Sequence, residues 1–458
     1  MEDKNALGSA PVGKLMRKLA VPAIAAQLVN ALYNIVDRMY IGHMEGVGDL
    51  ALTGLGICFP ILMFISALSA LAGMGGGSRA AIRMGEGDID GAEVILGGCA
   101  AMLLAMAVLS TAVFQLFRDP LLVLFGASEN TLPYASGYLY VYLWGSAAVL
   151  LSLGLNNFIT TQGFSLFSML TVVIGAVCNL VLDPIFIFGL DMGVEGAALA
   201  TILSQLISAV WVVAFLRGKK TLLKLRLKWL RLKASVLMPV AAVGVAPFIM
   251  QSTESLVNIA FNSSLKAYGG DVYVGAMTIA SSVMQVVVMP LIGLTQGAQP
   301  IVGFNYGAGK MDRVRRAFQI LLISCLGYTV VAWAVVEGFP DVFIAIFNDK
   351  PALVEVARRT IRVYFAGIFA FGMQVACQQT FVALGEAKIS LFLALLRKII
   401  LLIPLVFILP NFLVDKVFAV WLAEPVADLL AAATTGVVFF SRFSKILKKR
   451  GEKLRQSG

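Results

Sequence analysis

Apolar stretches separated by short polar segments recur along the whole chain. Each stretch has about 20 residues or more, which is the length at which an α-helix crosses the roughly 30 Å hydrocarbon layer of a membrane. The pattern therefore predicts an all-α integral membrane protein with twelve transmembrane helices. The predicted spans are 15–42, 50–81, 93–117, 133–160, 165–190, 194–216, 237–266, 272–304, 315–338, 357–384, 388–410 and 416–440.

The two halves of the chain match each other at a constant offset of 222 positions. Six spans fall in each half, and an even number places both repeats in the membrane with the same orientation. We therefore predict two six-helix bundles related by a pseudo-two-fold axis along the membrane normal, with a cavity between them. The matches include Gly75 with Gly297, Tyr142 with Tyr364, and 156–163 with 378–385.

Composition supports a membrane location. Of the 458 residues, 59% are hydrophobic and 14% are charged, so a single soluble core could not bury the apolar surface. The five cysteines are odd in number, lie inside the predicted spans and lack metal-ligand spacing, so we expect neither a disulfide nor a metal site. The N-terminal segment has no small-residue cleavage pattern, and the first span is expected to remain in the protein.

The net charge of +10 is concentrated in two segments that flank predicted helices. Eight Lys or Arg residues and no acid lie in 217–235, and seven Lys or Arg residues with one acid lie in 442–458. By the positive-inside rule, the N-terminus, this linker and this tail are predicted to be cytoplasmic. Anionic lipid headgroups, and not nucleic acid, are the expected partner of the basic linker.

The predicted domain organisation follows from the spans and the charges. It consists of a cytoplasmic N-terminus at 1–14, an N-terminal six-helix lobe at 15–216, a basic cytoplasmic linker at 217–235, a C-terminal six-helix lobe at 236–441 and a basic cytoplasmic tail at 442–458. Besides the lipid bilayer and a small-molecule substrate, the sequence indicates no obligate protein partner, and we expect a monomer.

Three segments resemble the multidrug and toxic compound extrusion (MATE) family, specifically its bacterial multidrug-efflux branch. They are LYNIVD at 32–37 with IG at 41–42, NLVLDPIFIFG at 179–189 before GVEGAA at 193–198, and PLIGLTQGAQP at 290–300 before NYG at 305–307. Their order and spacing extend the resemblance over essentially the whole chain. It implies two six-helix lobes in the bacterial cytoplasmic membrane that export amphipathic, often cationic compounds, driven by inward flow of H⁺ or Na⁺.

Ionisable groups at membrane depth are the candidates for energy coupling. A carboxylate there is costly when charged and can hold a proton near neutral pH. Asp37 lies late in the first span beside Asn34, and Asp183 lies in the fifth span one turn after Asn179. Pro184 follows Asp183 directly and frees a backbone carbonyl that could coordinate an ion. We predict an ion-coupling site in the first lobe, formed by Asp37, Asp183, Asn34 and Asn179.

The repeat is asymmetric at these acids, because the offset places Ile259 and Leu405 at the corresponding positions. This asymmetry favours coupling in the first lobe, and the family resemblance implies ion-linked or substrate-linked acids at the same two positions. Structural alternatives remain open for both acids. One is an ion pair of Asp37 with Arg38 in the outer headgroup region, and the other is a hydrogen bond of Asp183 to Asn156 or Asn157.

The seventh span carries a polar stripe at helical spacing, formed by Gln251, Glu254, Ser255 and Asn258. Such a stripe faces a cavity or a neighbouring helix and not lipid. We interpret it as a cation-attracting or second ion-linked site, and the alternative is a network internal to the lobe. Methionine adapts to varied cargo shapes, and aromatic rings offer cation–π contacts. The predicted substrate-binding residues are Glu254, Gln251, Asn156, Asn157, Tyr33, Tyr142, Met284 and Met289.

The last two spans contain charges of both signs. Glu424 and Asp428 lie one helical turn apart, and Arg397 lies in the preceding span. We predict that Arg397 pairs with Glu424 or Asp428 in a salt bridge that holds the second lobe together. A proton relay in the second lobe is the functional alternative.

The sequence offers no catalytic or nucleotide-binding motif. The segment at 307–310 lacks the spacing of a phosphate-binding loop, and His43 has no nucleophile or ligand cluster around it. We expect no enzyme activity and no cofactor other than H⁺ or Na⁺ as coupling ion. The leading hypothesis is an ion-coupled exporter that works by alternating access. The alternative is a flippase or exporter of a lipid-linked saccharide or cell-envelope precursor on the same fold.

Overall fold

The computed structural model describes residues 6–346 and 351–457. These residues form nineteen α-helices joined by short π, 3-10 and turn segments. In the first half the helices are α1 (Ala6–Ser9), α2 (Val12–Gly42), α3 (Gly48–Gly85), α4 (Ile89–Leu116), α5 (Arg118–Leu124), α6 (Leu132–Trp144), α7 (Ser146–Thr161), α8 (Ser165–Pro184) and α9 (Gly193–Arg217). In the second half they are α10 (Ala234–Ser252), α11 (Glu254–Tyr268), α12 (Asp271–Gly307), α13 (Met311–Gly338), α14 (Pro340–Ala345), α15 (Pro351–Tyr364), α16 (Ile368–Ala383), α17 (Ala387–Leu395), α18 (Ile403–Ile408) and α19 (Lys416–Ser457).

Within the described residues, ten helical segments are long and apolar enough to cross a membrane. Two bent pairs, α6 with α7 and α15 with α16, bring the number to as many as twelve if each pair is one span. This agrees with the predicted all-α membrane fold, although the predicted spans 133–160 and 357–384 are not single straight helices. The first pair bends by 60° and the second by 48°.

Both bends occur at glycines that the repeat offset relates, Gly145 and Gly367. A Cβ atom at Gly145 would lie 2.2 Å from the Ile202 side chain, and one at Gly367 would lie 2.7 Å from Pro425 Cα. Neighbouring helices therefore approach the backbone so closely that only glycine fits at either bend.

Two other boundaries differ from the sequence-based prediction. The predicted span 237–266 divides at Thr253 into α10 and α11. The basic segment 442–458, predicted as a separate tail, continues α19 as helix through Ser457. A π-helical turn at Ile185–Gly189 follows Pro184, whose missing N–H disrupts the regular hydrogen-bond pattern. A second π-helical turn, Leu396–Leu402, interrupts the eleventh predicted span.

Buried apolar side chains form two clusters, one for each half of the chain. Phe158 belongs to the first cluster, whereas Phe365 and Trp421 belong to the second. The beginning of α2 is an exception, because Leu15 and Leu19 pack into the second cluster. Helix α2 therefore starts against the second half of the chain, on α12, and continues against α8 of the first half.

The two halves meet in a reciprocal crossing of α3 and α12. A Cβ atom at Gly85 would lie 2.0 Å from Phe304 O, and one at Gly307 would lie 2.0 Å from Ile82 O. The repeat offset relates Gly85 to Gly307 and Ile82 to Phe304. A reciprocal contact between equivalent residues is what a two-fold relation between the repeats produces, and the glycines allow the backbones to touch.

Chain segments from both termini lie at this crossing. Asn305 Nδ2 donates a hydrogen bond to Leu7 O at 2.9 Å, and Arg450 Nη2 contacts Glu86 Oε1 at 2.5 Å. We refer to the end of the molecule marked by Leu7, Glu86, Gly307 and Arg450 as the terminal face. The linker lies near the same end, because Arg226 Nε is 2.8 Å from Glu93, near the start of α4.

Candidate functional site

The first lobe holds two carboxyl groups in direct contact. Asp37 of α2 and Asp183 of α8 lie within hydrogen-bonding distance of each other, and their exposed fractions are 7% and 0%. Each also has one buried oxygen, Asp37 Oδ1 and Asp183 Oδ2, for which the described residues supply no donor. The pair therefore concentrates oxygen ligands and negative charge at one buried point between α2 and α8.

A second set of polar groups surrounds this pair. Asn179 Nδ2 donates to Asp183 Oδ1 at 3.2 Å and lies 3.4 Å from Thr201 Oγ1. The Tyr33 side chain also lies close to Thr201. Thr201 was not predicted, although a polar stripe along α9 at helical spacing, with Ser204 four positions before Ser208, is visible in the sequence. The spacing of these residues is visible in the sequence, whereas the contact of Thr201 with Asn179 of α8 depends on how the two helices pack.

The predicted site residues do not all converge. The Asn34 side chain is exposed and donates to Asn30 O at 2.7 Å, so the structure does not bring it to the acid pair. Asn156 and Asn157 donate to the backbone oxygens of Ser168 and Leu153, at 3.2 and 3.0 Å. Neither amide bonds to Asp183, whose amide partner is Asn179 instead.

Arg38, the alternative partner of Asp37, contacts an aromatic ring instead of forming a salt bridge with that acid in the described structure. The Arg38 guanidinium lies over the Phe59 ring, 5.7 Å from its centroid. The rings of Tyr138 and Tyr142 of α6 stack with their centroids 6.0 Å apart. Tyr138 lies close enough to Asp37 for an electrostatic interaction between the two side chains. Aromatic side chains of α2 and α6 therefore lie close to the acid pair.

A polar cleft lies beside the acid pair. It comprises about 430 Å³ of empty space, partly open to solvent, between α2, α7, α8 and α9. Nine of its thirteen lining residues carry a hydroxyl or amide group, and Asn179 and Tyr33 lie between the cleft and the acid pair. The lining residues are Asn30, Tyr33, Ser152, Leu153, Asn156, Thr171, Val172, Gly175, Ala176, Asn179, Ser204, Gln205 and Ser208.

The second lobe holds a separate buried ionic network. Arg397 Nη2 lies 2.7 Å from Glu424 Oε1, and Arg397 Nε lies 2.7 Å from Asp428 Oδ1. The guanidinium also stacks over the Phe371 ring at 4.5 Å. Arg397 thus contacts both acids, which are 3% and 1% exposed. The π-helical turn at Leu396–Leu402 carries this arginine.

Lys398 extends the network towards Glu254. Its ammonium nitrogen donates to Met250 O at 2.7 Å and forms an ion pair with the Glu254 carboxylate. The Lys398 side chain is 9% exposed, whereas that of Glu254 is 54% exposed. Glu254 is therefore a solvent-accessible acid that forms an ion pair with a buried lysine. The sequence places adjacent cations in an apolar span but contains no signal for this pairing.

The remaining predicted substrate residues lie on other surfaces. Gln251 is exposed near the break between α10 and α11. Met284 is partly buried and packs against the second apolar cluster, and Met289 of α12 is also partly buried. Among residues 6–346 and 351–457, no group of three or more His, Cys, Asp or Glu side chains could hold a metal ion.

The match to a known protein family falls in two segments, one in each half of the chain. The sequence profile of the MatE family matches residues 22–185 and 247–408. The multidrug export protein MepA of Staphylococcus aureus (strain NCTC 8325 / PS 47) is 24% identical over 432 residues, covering 94% of this chain and 94% of the relative. MepA of Staphylococcus saprophyticus is 24% identical over 428 residues, covering 92% of each chain.

Solved structures share the fold over nearly the full length. The crystal structure of MATE in the bent conformation has a TM-score of 0.91 at 24% identity, covering 98% of this chain and 99% of that chain. A MOP superfamily transporter from Pyrococcus furiosus has a TM-score of 0.91 at 23% identity, covering 97% and 99%. The similarity extends through both halves of the chain, so the fold as a whole is shared with these structures.

Proposed function

Because this multi-pass membrane protein belongs to the MatE family of transporters, we propose that it exports amphipathic, mainly cationic compounds in exchange for H⁺ or Na⁺. The observation that carries the proposal is the buried contact of Asp37 with Asp183 beside a polar cleft. The same family membership argues for a transporter and against an enzyme. The MepA relatives are multidrug export proteins, which is consistent with organic cargo.

The acid pair supplies a physical basis for coupling. Two unit charges about 4 Å apart repel by about 4 kcal/mol at an effective dielectric constant of about 20. The pair therefore needs a shared proton or a bound cation in order to remain buried. Release of that cation restores negative charge beside the cleft, which attracts a cationic substrate. Ion and substrate then compete for the same charge, as antiport requires.

Pro184 adds a further oxygen ligand to this proposal. Proline has no N–H, so it cannot donate to the carbonyl of Leu180 one turn earlier in α8. A carbonyl oxygen freed next to two carboxylates is suited to Na⁺ as well as to a proton-carrying water. Both coupling ions therefore remain compatible with the site.

We place the coupling in the first lobe because the accessible acid of the second lobe is already neutralised. Lys398 contacts Glu254 and occupies the position that a cation would take. Arg397 likewise compensates the buried acids of α19. The second lobe then contributes a stable wall in which Glu254, Glu424 and Asp428 are all paired with cations.

Alternating access in this proposal requires the glycine crossing of α3 and α12 to open and close. With that crossing formed, the terminal face is sealed by backbone contact. The basic linker and the basic end of α19 argue that this face is cytoplasmic. Export then alternates between the sealed arrangement and one in which the two lobes separate at the terminal face.

Export of a lipid-linked saccharide or envelope precursor on the same fold is less well supported. An anionic cargo of that kind would require a large basic cavity. The cleft instead has neutral polar walls and lies next to two acids, a chemistry that suits cations.

The test is dye efflux from vesicles that contain the purified protein, with a pH gradient and a Na⁺ gradient imposed separately. Asp37→Asn and Asp183→Asn should each abolish gradient-driven efflux of a cationic dye, because the amide can neither release a proton nor carry charge. Asp49→Asn is the matched control, since Asp49 is an exposed acid of the same lobe, and it should retain efflux. Full efflux in both site variants would refute the proposal.

A further inference from the structure

A second cavity lies on the terminal face, between the two halves of the chain. It comprises about 510 Å³ of empty space, partly open to solvent, and is walled by α3, α4 and α10. Arg79 and Arg83 line it from α3, Gly91 lines it from α4, and Ser235 lines it from α10. None of these residues belongs to the acid pair or to the cleft beside it.

The two arginines of this cavity differ in their partners. They lie one helical turn apart and therefore share a face of α3. Arg83 contacts Glu86 at 3.4 Å and Asp88 at 3.2 Å. Asp88 is further engaged by Gly91 N, which donates to its Oδ1 at 2.8 Å and so caps α4. The carboxylate in the cavity wall is thus already compensated.

Arg79 is partly buried and has no hydrogen-bond or ion-pair partner in the described parts of the chain, 6–346 and 351–457. A guanidinium withdrawn from water without a partner is costly, so an anion in this cavity would be stabilised. The first turn of α10 adds to the positive potential, because no side chain caps its N-terminus and Ser235 lines the cavity.

In the second half of the chain, the positions equivalent to the cavity residues bind the N-terminal segment. The repeat offset relates Arg83 to Asn305 and Gly91 to Arg313. Asn305 Nδ2 donates to Leu7 O at 2.9 Å, and Arg313 Nη2 donates to the same oxygen at 3.2 Å. Backbone oxygens of the N-terminal segment therefore satisfy the donors of the second half. The cavity of the first half offers stronger donors to an oxygen-bearing ligand.

We propose that this cavity binds a phosphate-bearing anion, which in a membrane is the headgroup of an anionic phospholipid. Arg79 and Arg83 hold the phosphate oxygens, and Ser235 donates from the opposite wall. The ligand bridges α3 of the first half and α10 of the second. Arg79 lies one turn after Gly75, where a Cβ atom would lie 2.4 Å from Val240 O of α10. The bound headgroup therefore favours the arrangement in which α3 and α10 are packed together.

The experiment uses purified, delipidated full-length protein titrated with phosphatidylglycerol, phosphatidylcholine or inorganic phosphate. Native mass spectrometry measures retained lipid, and thermal unfolding measures stabilisation by each additive. The variants are Arg79→Gln, which removes the free guanidinium, and Ser235→Asp, which places a carboxylate in the cavity. An acid in the first turn of a helix favours the helix, so Ser235→Asp is expected to fold. Arg442→Gln is the control, because Arg442 is an exposed arginine outside the cavity.

We expect both cavity variants to bind phosphatidylglycerol at least about tenfold more weakly than the unmodified protein, which corresponds to ~1.4 kcal/mol. The control should bind it unchanged, and phosphatidylcholine should bind weakly throughout. Competition by inorganic phosphate would support the same anion site, and stabilisation by phosphate alone would identify a soluble anion as its source. Unchanged phosphatidylglycerol binding in Ser235→Asp would overturn the proposal, as would an equal loss in Arg442→Gln. Because the readout is lipid binding, it is independent of whether the protein exports cations.

Discussion

The crossing of α3 and α12 should respond to the addition of a single methyl group. In Gly307→Ala the new Cβ would lie 2.0 Å from Ile82 O and 2.8 Å from Ile82 C. Both are backbone atoms, so no side-chain rotation can relieve the clash. An ordinary contact of 3.4 Å or more requires the helices to separate by about 1.4 Å at this point. The substitution therefore acts on the seal of the terminal face.

The size of the effect follows from the cost of overpacking. Forcing an extra carbon into a close-packed contact costs about 1–3 kcal/mol. If the clash is absent when the lobes separate, the population shifts towards the separated arrangement by about 5- to 150-fold. Gly327→Ala is the matched control, because a Cβ at Gly327 of α13 meets no heavy atom within 4 Å. Its only expected effect is a gain in helix stability of up to ~1 kcal/mol.

Spin labels at Asp90→Cys and Asp312→Cys would report the movement. These exposed residues are related by the repeat offset and lie in the first turns of α4 and α13. Replacement of the partly exposed Cys178 avoids stray labelling. Pulsed dipolar distance measurements should show a larger long-distance population in Gly307→Ala than in the unmodified protein. A distance distribution identical to that of Gly327→Ala would refute the role of the crossing.

Three further variants probe the other contacts. Arg397→Ala leaves two buried carboxylates uncompensated and should lower the free energy of unfolding by about 3–5 kcal/mol, measured by denaturant unfolding in detergent; an unchanged midpoint would contradict the salt-bridge role. Lys398→Ala releases Glu254 and should strengthen cationic-dye binding about tenfold or more, and fluorescence titration giving an unaltered affinity would argue against a role for this ion pair. Arg450→Ala removes the contact with Glu86 and should destabilise the sealed terminal face by about 1 kcal/mol. The same distance measurement should detect a smaller shift than that of Gly307→Ala. An unchanged distance distribution would show that the Arg450–Glu86 contact does not stabilise the sealed arrangement.

The acid pair illustrates how far the sequence can be interpreted. Asp37 and Asp183 are recognisable as candidates because ionisable residues are rare in apolar spans. Their mutual contact depends on the packing of α2 against α8, which no local pattern encodes. Asn34 was assigned to the same site from its proximity in the chain, but its amide donates to Asn30 O. Residues three positions apart lie on roughly the same face of a helix. Helical spacing therefore could not separate Asn34 from Asp37, and the packing of α2 against its neighbours decides which of the two side chains reaches the site.

The second lobe shows the same limit. Charges of both signs in adjacent spans predicted an Arg397 salt bridge, since burying an isolated charge is prohibitive. The pairing of Lys398 with Glu254 was not predicted, because it joins the π-helical turn of one span to the break between α10 and α11. Both irregularities depend on tertiary contacts and have no signature in apolar periodicity.

The membrane class, the approximate helical spans and the duplicated architecture follow from the order of amino acids alone. Helix length and hydrophobicity are set by the thickness of the bilayer, and a repeat is visible wherever residues recur at one offset. The folded arrangement of the helices is needed to see which polar side chains meet, where the spans bend, and how Gly85 and Gly307 seal the terminal face. Those features depend on ångström-scale approaches between helices far apart in the chain, and close packing, not local propensity, selects among them.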